Sequence, residues 1–141
     1  VPQFITPFSG AAKVAGLVKT NLANAVVSLF QFGFNPSVST VKSELEGAEA
    51  TFDDYVTKTI ASWTGPVLAP SPGYQINGGL VQWIVVTNVV TNIIGGYWIE
   101  NAAGDVIQIV KFDDPGVPMV SVDDAVTIPP VQFFAALQAA G

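Results

Sequence analysis

The sequence predicts an all-β protein: an antiparallel β-sandwich or small barrel with a short N-terminal helix and extended termini. Three observations carry this. Six or more short runs of β-branched and aromatic residues are separated by Gly, Pro and Asn turn signals. Near the N-terminus alone, apolar residues recur at helical spacing. And residues 95–112 read as a hairpin, two β-forming arms about a short Asn/Gly turn. Both arms are apolar on both faces, so one face can fill a core while the other needs a second sheet, a helix or another subunit.

The elements follow in order. Residues 1–8 hold two prolines and the large apolar Phe4, Ile5 and Phe8, which suits an extended arm better than a helix. Val14, Leu17, Val18, Leu22, Ala25 and Val26 then recur every three or four residues. The spacing predicts a helix over about 10–23, with Ser9 as its N-cap and Gly16 weakening it. Residues 26–34 read as a strand ending at Asn35-Pro36, and 39–45 as one helical turn stopped by Gly47. Tyr55 to Trp63 alternates in the manner of a strand, and Gly65 to Gly73, with three prolines, reads as a loop.

Four further strands are expected at about 74–77, 80–87, 91–100 and 105–112. In the hairpin, strict alternation sends Val106, Val110 and Phe112 one way and Ile107 and Ile109 the other. Pro115-Gly116-Val117-Pro118 breaks the chain, Val120 to Ile128 makes the next strand around an Asp123-Asp124 turn, and Pro129-Pro130 ends it. Residues 131–137 suit a short helix or a final strand. This divides the chain into an arm and helix (1–25), a sandwich (26–130) and an apolar tail (131–141). At 141 residues it can bury a core without disulfides or metals.

Composition narrows function. Half the residues are hydrophobic and 11% are charged, where ordinary domains carry about a quarter charged residues. Mean hydropathy is +0.48. Much of the surface is therefore expected to be covered in the working state. The stretch from Ala11 to Phe34 comes nearest to a membrane span but is broken by Lys13, Lys19, Asn21 and Asn24, so protein–protein burial is the better account and no membrane partner is expected.

The chain has no Cys, His or Arg, and five Lys against eleven acids give a net charge of −6. That removes thiol chemistry, the usual neutral-pH general base and the commonest zinc ligand, and it argues against nucleic acid. No cofactor and no enzymatic activity are expected. Val1-Pro2-Gln3-Phe4 lacks the charged and apolar regions of a signal peptide, which suggests a cytosolic product.

Three acid pairs, Asp53-Asp54, Asp113-Asp114 and Asp123-Asp124, raise the question of calcium. None lies in an alternating Asp-x-Asp-x-Asp-Gly loop, and neighbours on an extended chain point apart. Turn-forming acids are the plainer reading. The Gly pairs at 78–79 and 95–96 neither open a helix nor precede a Lys, so bulges or close crossings are expected rather than a phosphate loop. Trp63, Trp83 and Trp98 with Tyr55, Tyr74 and Tyr97 suit core and interface anchors better than a sugar platform.

Several segments together resemble small structural proteins of tailed-bacteriophage virions. They are Ser28-Leu29-Phe30 with Asn35-Pro36, the acidic stretch before Phe52-Asp53-Asp54-Tyr55, Thr59-Ile60-Ala61-Ser62-Trp63, and Gly96 to Gly104 running on to Lys111-Phe112. The resemblance spans roughly 26–130. It implies a capsid decoration (cement) protein, made in the host cytoplasm and placed on the capsid surface, with the major capsid protein and further copies of itself as partners. A tail or fibre module that binds host glycans is the alternative. The residues expected at its interfaces are Phe4, Ile5, Phe8, Tyr97, Ile107, Ile109, Phe133, Phe134 and Leu137. On this view, removing residues 1–8 leaves a folded protein that binds capsids weakly.

Overall fold

The structure, a computed structural model, describes residues 3–68, 73–87, 90–135 and 137–140. It is mostly β, with antiparallel sheets, helical content concentrated near the N-terminus and no closed barrel among the described residues. The chain divides into two compact units interleaved in sequence. One comprises 1–23, 60–80 and 129–141, the other 24–59 and 81–128.

The first unit holds β1 (Gln3–Thr6), α1 (Phe8–Asn21), β4 (Thr64–Leu68), β5 (Gly73–Asn77), β11 (Val131–Ala135) and β12 (Leu137–Ala140). Its sheets run β11-β5-β4 and β1-β12. The arm is a strand paired with the tail, Phe4 opposite Ala139 and Ile5 opposite Gln138. The 131–137 segment, open between helix and strand, is strand on both sides of residue 136.

Helix α1 packs against β5, β11 and β4. It starts two residues earlier than Ser9 would set it: Pro7 is the N-cap, with its carbonyl accepting the Ala11 amide at 3.0 Å and no side-chain cap. The face it buries is also not the one its large residues mark. Ala11, Ala15 and Leu22 are buried, whereas Val14 and Leu17 are exposed, Leu17 by 73%. Two alanines four apart form a flat stripe that lets the helix lie close to the sheet. Trp63 Nε1 donates to the Leu22 carbonyl at 2.9 Å, and Lys19 Nζ to the Gly65 carbonyl at 2.8 Å, tying the helix end to the chain leading into β4.

The second unit is built on a five-stranded sheet in the order β3-β2-β7-β8, with β9 also pairing β7. These strands are β2 (Ala25–Gln31), β3 (Lys58–Ile60), β7 (Asn92–Glu100), β8 (Val106–Lys111) and β9 (Val117–Met119). The pair β6 (Val81–Ile84) and β10 (Ala125–Ile128) and the short helix α2 (Lys42–Gly47) complete it. In β7 every residue from Ile94 to Ile99 is buried, so this arm of the hairpin is covered on both faces. On one face Phe30, Leu45 and Trp98 form a core cluster, with Phe34, Ala48, Val106 and Ile109 packed against it.

The cluster needs Gly96. It stands opposite Phe30, and a Cβ there would run into the Val110 carbonyl and the Phe30 ring. The absent side chain is the space the ring fills. In α2, Glu44 Oε1 accepts the Val41 amide at 3.1 Å. Val41 has no side-chain oxygen to return the bond, so only half a capping box is made.

Several boundaries differ from the sequence reading, each for a physical reason. Of the strand expected over Tyr55–Trp63 only Lys58–Ile60 forms. Asp54 has φ +70°, the Tyr55 amide closes a turn on the Phe52 carbonyl, and the Val56 carbonyl takes Trp83 Nε1 at 2.6 Å. The expected loop over 65–73 contains β4 instead, with residues 69–72 outside the described set. Pro66 fits because β4 is an edge strand whose register slips between Thr64 and Val67, where no ladder amide is required. Pro118 is held in β9 opposite Ile93, and β9 likewise pairs on one side among the described strands.

The strand expected from Val120 narrows to β10, because the Asp124 carboxylate folds 120–121 into a turn. Residues 26–34 end as strand at Gln31, before Gly33 at φ +100°. The hairpin alternation is broken too. Ile99 pairs Gln108 but Glu100 pairs Val106, so Ile107 is an extra residue in a bulge. Val106 therefore joins Ile109 on the Phe30–Trp98 face rather than Val110 and Phe112.

Candidate functional site

The acid pairs come first among the chemistry-bearing groups. Asp54 Oδ2 accepts from the Val86 amide at 3.2 Å, the Thr87 amide at 3.1 Å and Thr87 Oγ1 at 3.2 Å. Asp53 Oδ2 takes the Val90 amide at 2.8 Å, and its own amide returns a bond to the Val90 carbonyl. Asp124 Oδ2 takes the Val120 and Ser121 amides at 3.1 and 2.9 Å. These carboxylates hold loops in place, the turn-forming role that short acidic side chains suit. Asp113 and Asp114 border a small hollow with Lys111 and Phe112.

Tyr55 is the titratable group shifted furthest from its ordinary value among the described residues. Its hydroxyl donates to Glu49 Oε2 at 2.6 Å and accepts the Leu29 amide at 3.2 Å. Burial, followed by the Glu49 bond, pushes the phenol well above its ordinary range. The group links β2 to the acidic segment and stays protonated at neutral pH. Tyr97 is raised as well, by burial.

The three tryptophans are all core. Trp63, Trp83 and Trp98 are buried, and their Nε1 atoms donate to the Leu22 carbonyl, the Val56 carbonyl and Glu100 Oε1. Such rings are fixed in place and present no face to a sugar.

The expected interface residues fall into two sets. In the first unit Ile5, Phe8 and Phe133 are exposed, Phe8 with its ring edge-on to Tyr74 at 6.4 Å, and Phe134 is partly buried opposite Tyr74. Phe4 and Leu137 lie on β1 and β12, and their side chains fall outside the described set. In the second unit Ile107 is 41% exposed, while Ile109 is partly buried against the Phe30–Trp98 cluster. Tyr97 is buried inside the fold, its ring 5.9 Å from that of Phe112, so the fold itself already occupies this side chain.

Other exposed apolar residues were not singled out from sequence: Val38, fully exposed, and Leu68 and Leu80. Their signal was weak, because a lone apolar residue beside Pro, Ser or Gly reads as a strand end or loop. Val38 and its neighbours Pro36, Ser37 and Thr40 face β8 across an open groove of about 560 Å³, whose other wall is formed by Val106, Ile107, Ile109 and Lys111. Lys111 Nζ reaches Asn35 Oδ1 at 2.8 Å at its end.

No family model, no curated protein and no solved structure matches this chain.

Proposed function

We propose that the chain is a structural subunit of a tailed-bacteriophage particle, a capsid decoration protein that bridges major capsid subunits and associates with copies of itself. One observation carries the reading. Among the described residues nineteen large apolar side chains are exposed, more than the five Lys and eleven acids of the whole chain. Scattered exposed apolar residues are ordinary; a surface on which they outnumber the charges is not. Such a surface suits permanent burial against other subunits, at standard interface sizes above about 1,000 Å² per contact. The capsid itself enters through the resemblance of 26–130 to virion proteins.

The test is a binding experiment with purified chain and undecorated capsids of the phage that encodes it. Saturable occupancy at a fixed number of copies per capsomer is expected, and Ile5→Ser with Phe133→Ser should lower it while leaving the circular dichroism unchanged. Absence of the chain from both the capsids and the native particle would overturn the reading.

A further inference from the structure

We propose that Asn77-Gly78 is a self-modifying site. The chain's own backbone converts Asn77 to aspartate or isoaspartate whenever the end of the β5–β11 pairing opens, and the closed fold holds it unreacted. The inference does not rest on the capsid reading.

The sequence contains a single Asn-Gly pair, at 77–78. Its chemistry needs no partner but water. The Gly78 nitrogen gives up its proton and attacks Asn77 Cγ. The new N–Cγ bond closes a succinimide ring, the Cγ–Nδ2 bond breaks, and ammonia leaves with the proton. Water then opens the ring at one carbonyl or the other, giving aspartate or an isoaspartate whose backbone runs through Cβ and Cγ. Glycine on the attacking side has no Cβ to obstruct closure, which makes this pair the most reactive sequence for the step.

The fold explains why so labile a pair stands here. A Cβ at Gly78 would lie 2.9 Å from Ile60 Cδ1 and 3.3 Å from the Trp63 ring. Both neighbours are buried, and the ring is pinned through Nε1 to the Leu22 carbonyl, so the position is kept as glycine by packing. Asn77 is half-buried at the rim of an open hollow of about 190 Å³, bordered also by Gly79, Leu80, Pro129 and Pro130. Water for ring opening has a way in.

Two restraints hold the reaction off. Asn77 lies in β5 between Val131 of β11 and Thr64 of β4, and Thr64 Oγ1 donates to its carbonyl at 3.3 Å. Ring closure brings Cβ and the Gly78 nitrogen to the same side of the Cα–C bond, a rotation that extended strand backbone excludes. In addition, the Gly78 amide donates to the Pro130 carbonyl at 2.9 Å, which occupies the nucleophile. That rung is a single bond, since Pro130 has no amide to return. It stands at the end of the β5–β11 ladder, and strand ends open more readily than their middles. The gate is one hydrogen bond, and the reaction passes only while it is broken.

Opening is then recorded permanently. Isoaspartate lengthens the backbone just before Gly78 and sets its amide out of step with the Pro130 carbonyl, so the gate does not reclose. Either product also puts a carboxylate into a unit whose sequence contains no acid.

In the full chain at mildly alkaline pH, peptide mass spectrometry should find the mass gain of an amide becoming an acid at residue 77. The rate should be at least about tenfold slower than in the same chain unfolded in urea, and Asn77→Gln should abolish the gain. One opening frees the Gly78 nitrogen both for attack and for hydrogen exchange. The slowing of the reaction and the exchange protection of the Gly78 amide should therefore agree within about threefold, and fall together as sub-denaturing urea is added. The isoaspartate chain, separated by anion exchange, should show at least about tenfold less protection at Gly78 than Asn77→Asp, which adds the charge without lengthening the backbone. A folded rate equal to the unfolded one, deamidation that departs from Gly78 exchange in either direction, or an isoaspartate chain as protected as Asn77→Asp would each overturn the proposal.

Discussion

Replacing Gly96 with alanine adds one methyl group where the sheet has no room for it. The new Cβ would meet two obstacles, the Val110 carbonyl across the strand pair and the Phe30 ring. The carbonyl can retreat only by opening the Tyr97–Val110 rung of the ladder. The ring is fully buried in the cluster with Leu45 and Trp98, so it can retreat only by displacing them. Overpacking in a well-packed core costs about 1–3 kcal/mol, and two rigid obstacles place this site at about 3 kcal/mol. At about 4 °C per kcal/mol for a chain of this size, the melting temperature should fall by about 12 °C.

Urea unfolding followed by tryptophan fluorescence measures it, as a lower midpoint at unchanged slope. Gly16→Ala is the control: a Cβ there meets nothing within 4 Å, so relief of backbone entropy in α1 should stabilise by about 0.5–1 kcal/mol. In the Gly96→Ala background, Phe30→Leu should cost less than in wild type, by at least about 1 kcal/mol of coupling. A Gly96→Ala midpoint within about 0.5 kcal/mol of wild type, the range of an ordinary surface change, would refute the packing of Phe30 over β7.

Asp54→Ala removes the acceptor of three bonds and should cost about 1 kcal/mol, with faster hydrogen exchange at the Val86 and Thr87 amides as its signature. Tyr55→Phe strands the Leu29 amide and should cost about 1–3 kcal/mol by chemical denaturation at neutral pH. The folded phenol titrates above the unfolded one, so its contribution is complete below about pH 10 and is lost as pH rises beyond that. Wild-type stability should therefore fall above about pH 10, more steeply than that of Tyr55→Phe, which keeps only the smaller effect of Tyr97. Trp63→Phe leaves the Leu22 carbonyl at the end of α1 without its donor and should cost about 1–3 kcal/mol, seen as a lower midpoint and altered near-ultraviolet circular dichroism.

What the sequence made legible was whatever depends on local pattern. The strand cores at 26–31, 74–77, 92–100 and 106–111 alternate or run apolar between Gly and Asn, and they form as expected. Helix α1 was legible as a helix but not in orientation, because Ala11 and Ala15 carry the contact and hydropathy favours Val14 and Leu17. The Tyr55–Trp63 strand was misread because its alternation belongs to side chains recruited elsewhere, Tyr55 to Glu49 and Trp63 to Leu22. Prolines misled in the opposite direction: Pro66 and Pro118 sit in short edge strands where no amide is needed. The bulge at Ile107 was invisible, since nothing local distinguishes Val106-Ile107 from two ordinary strand residues. Of the expected interface set, Ile5, Phe8, Phe133 and Ile107 reach the surface, whereas Tyr97 is taken up by the core through long-range pairing that no local pattern encodes.

The acidic residues sharpen what kind of surface this is. Eleven acids on 141 residues already make a sparse charge, and part of it is committed inside the chain. Asp53, Asp54 and Asp124 hold loop amides, Glu44 takes the Val41 amide, Glu49 takes the Tyr55 hydroxyl, and Glu100 takes Trp98 Nε1 and lies 3.4 Å from Lys42 Nζ. A carboxylate already satisfied by amides has less need of water. Removing solvent from the surrounding apolar side chains then costs little, because few bare charges go with them. Association driven by such a surface should depend on buried apolar area and only weakly on screening. Binding to capsids, measured by co-sedimentation, should therefore change by less than about threefold between 0.1 and 0.5 M NaCl and strengthen in ammonium sulfate, which favours apolar burial. A steep loss across that NaCl range would mean that charge steers the contact, and the apolar surface would no longer explain what this chain binds.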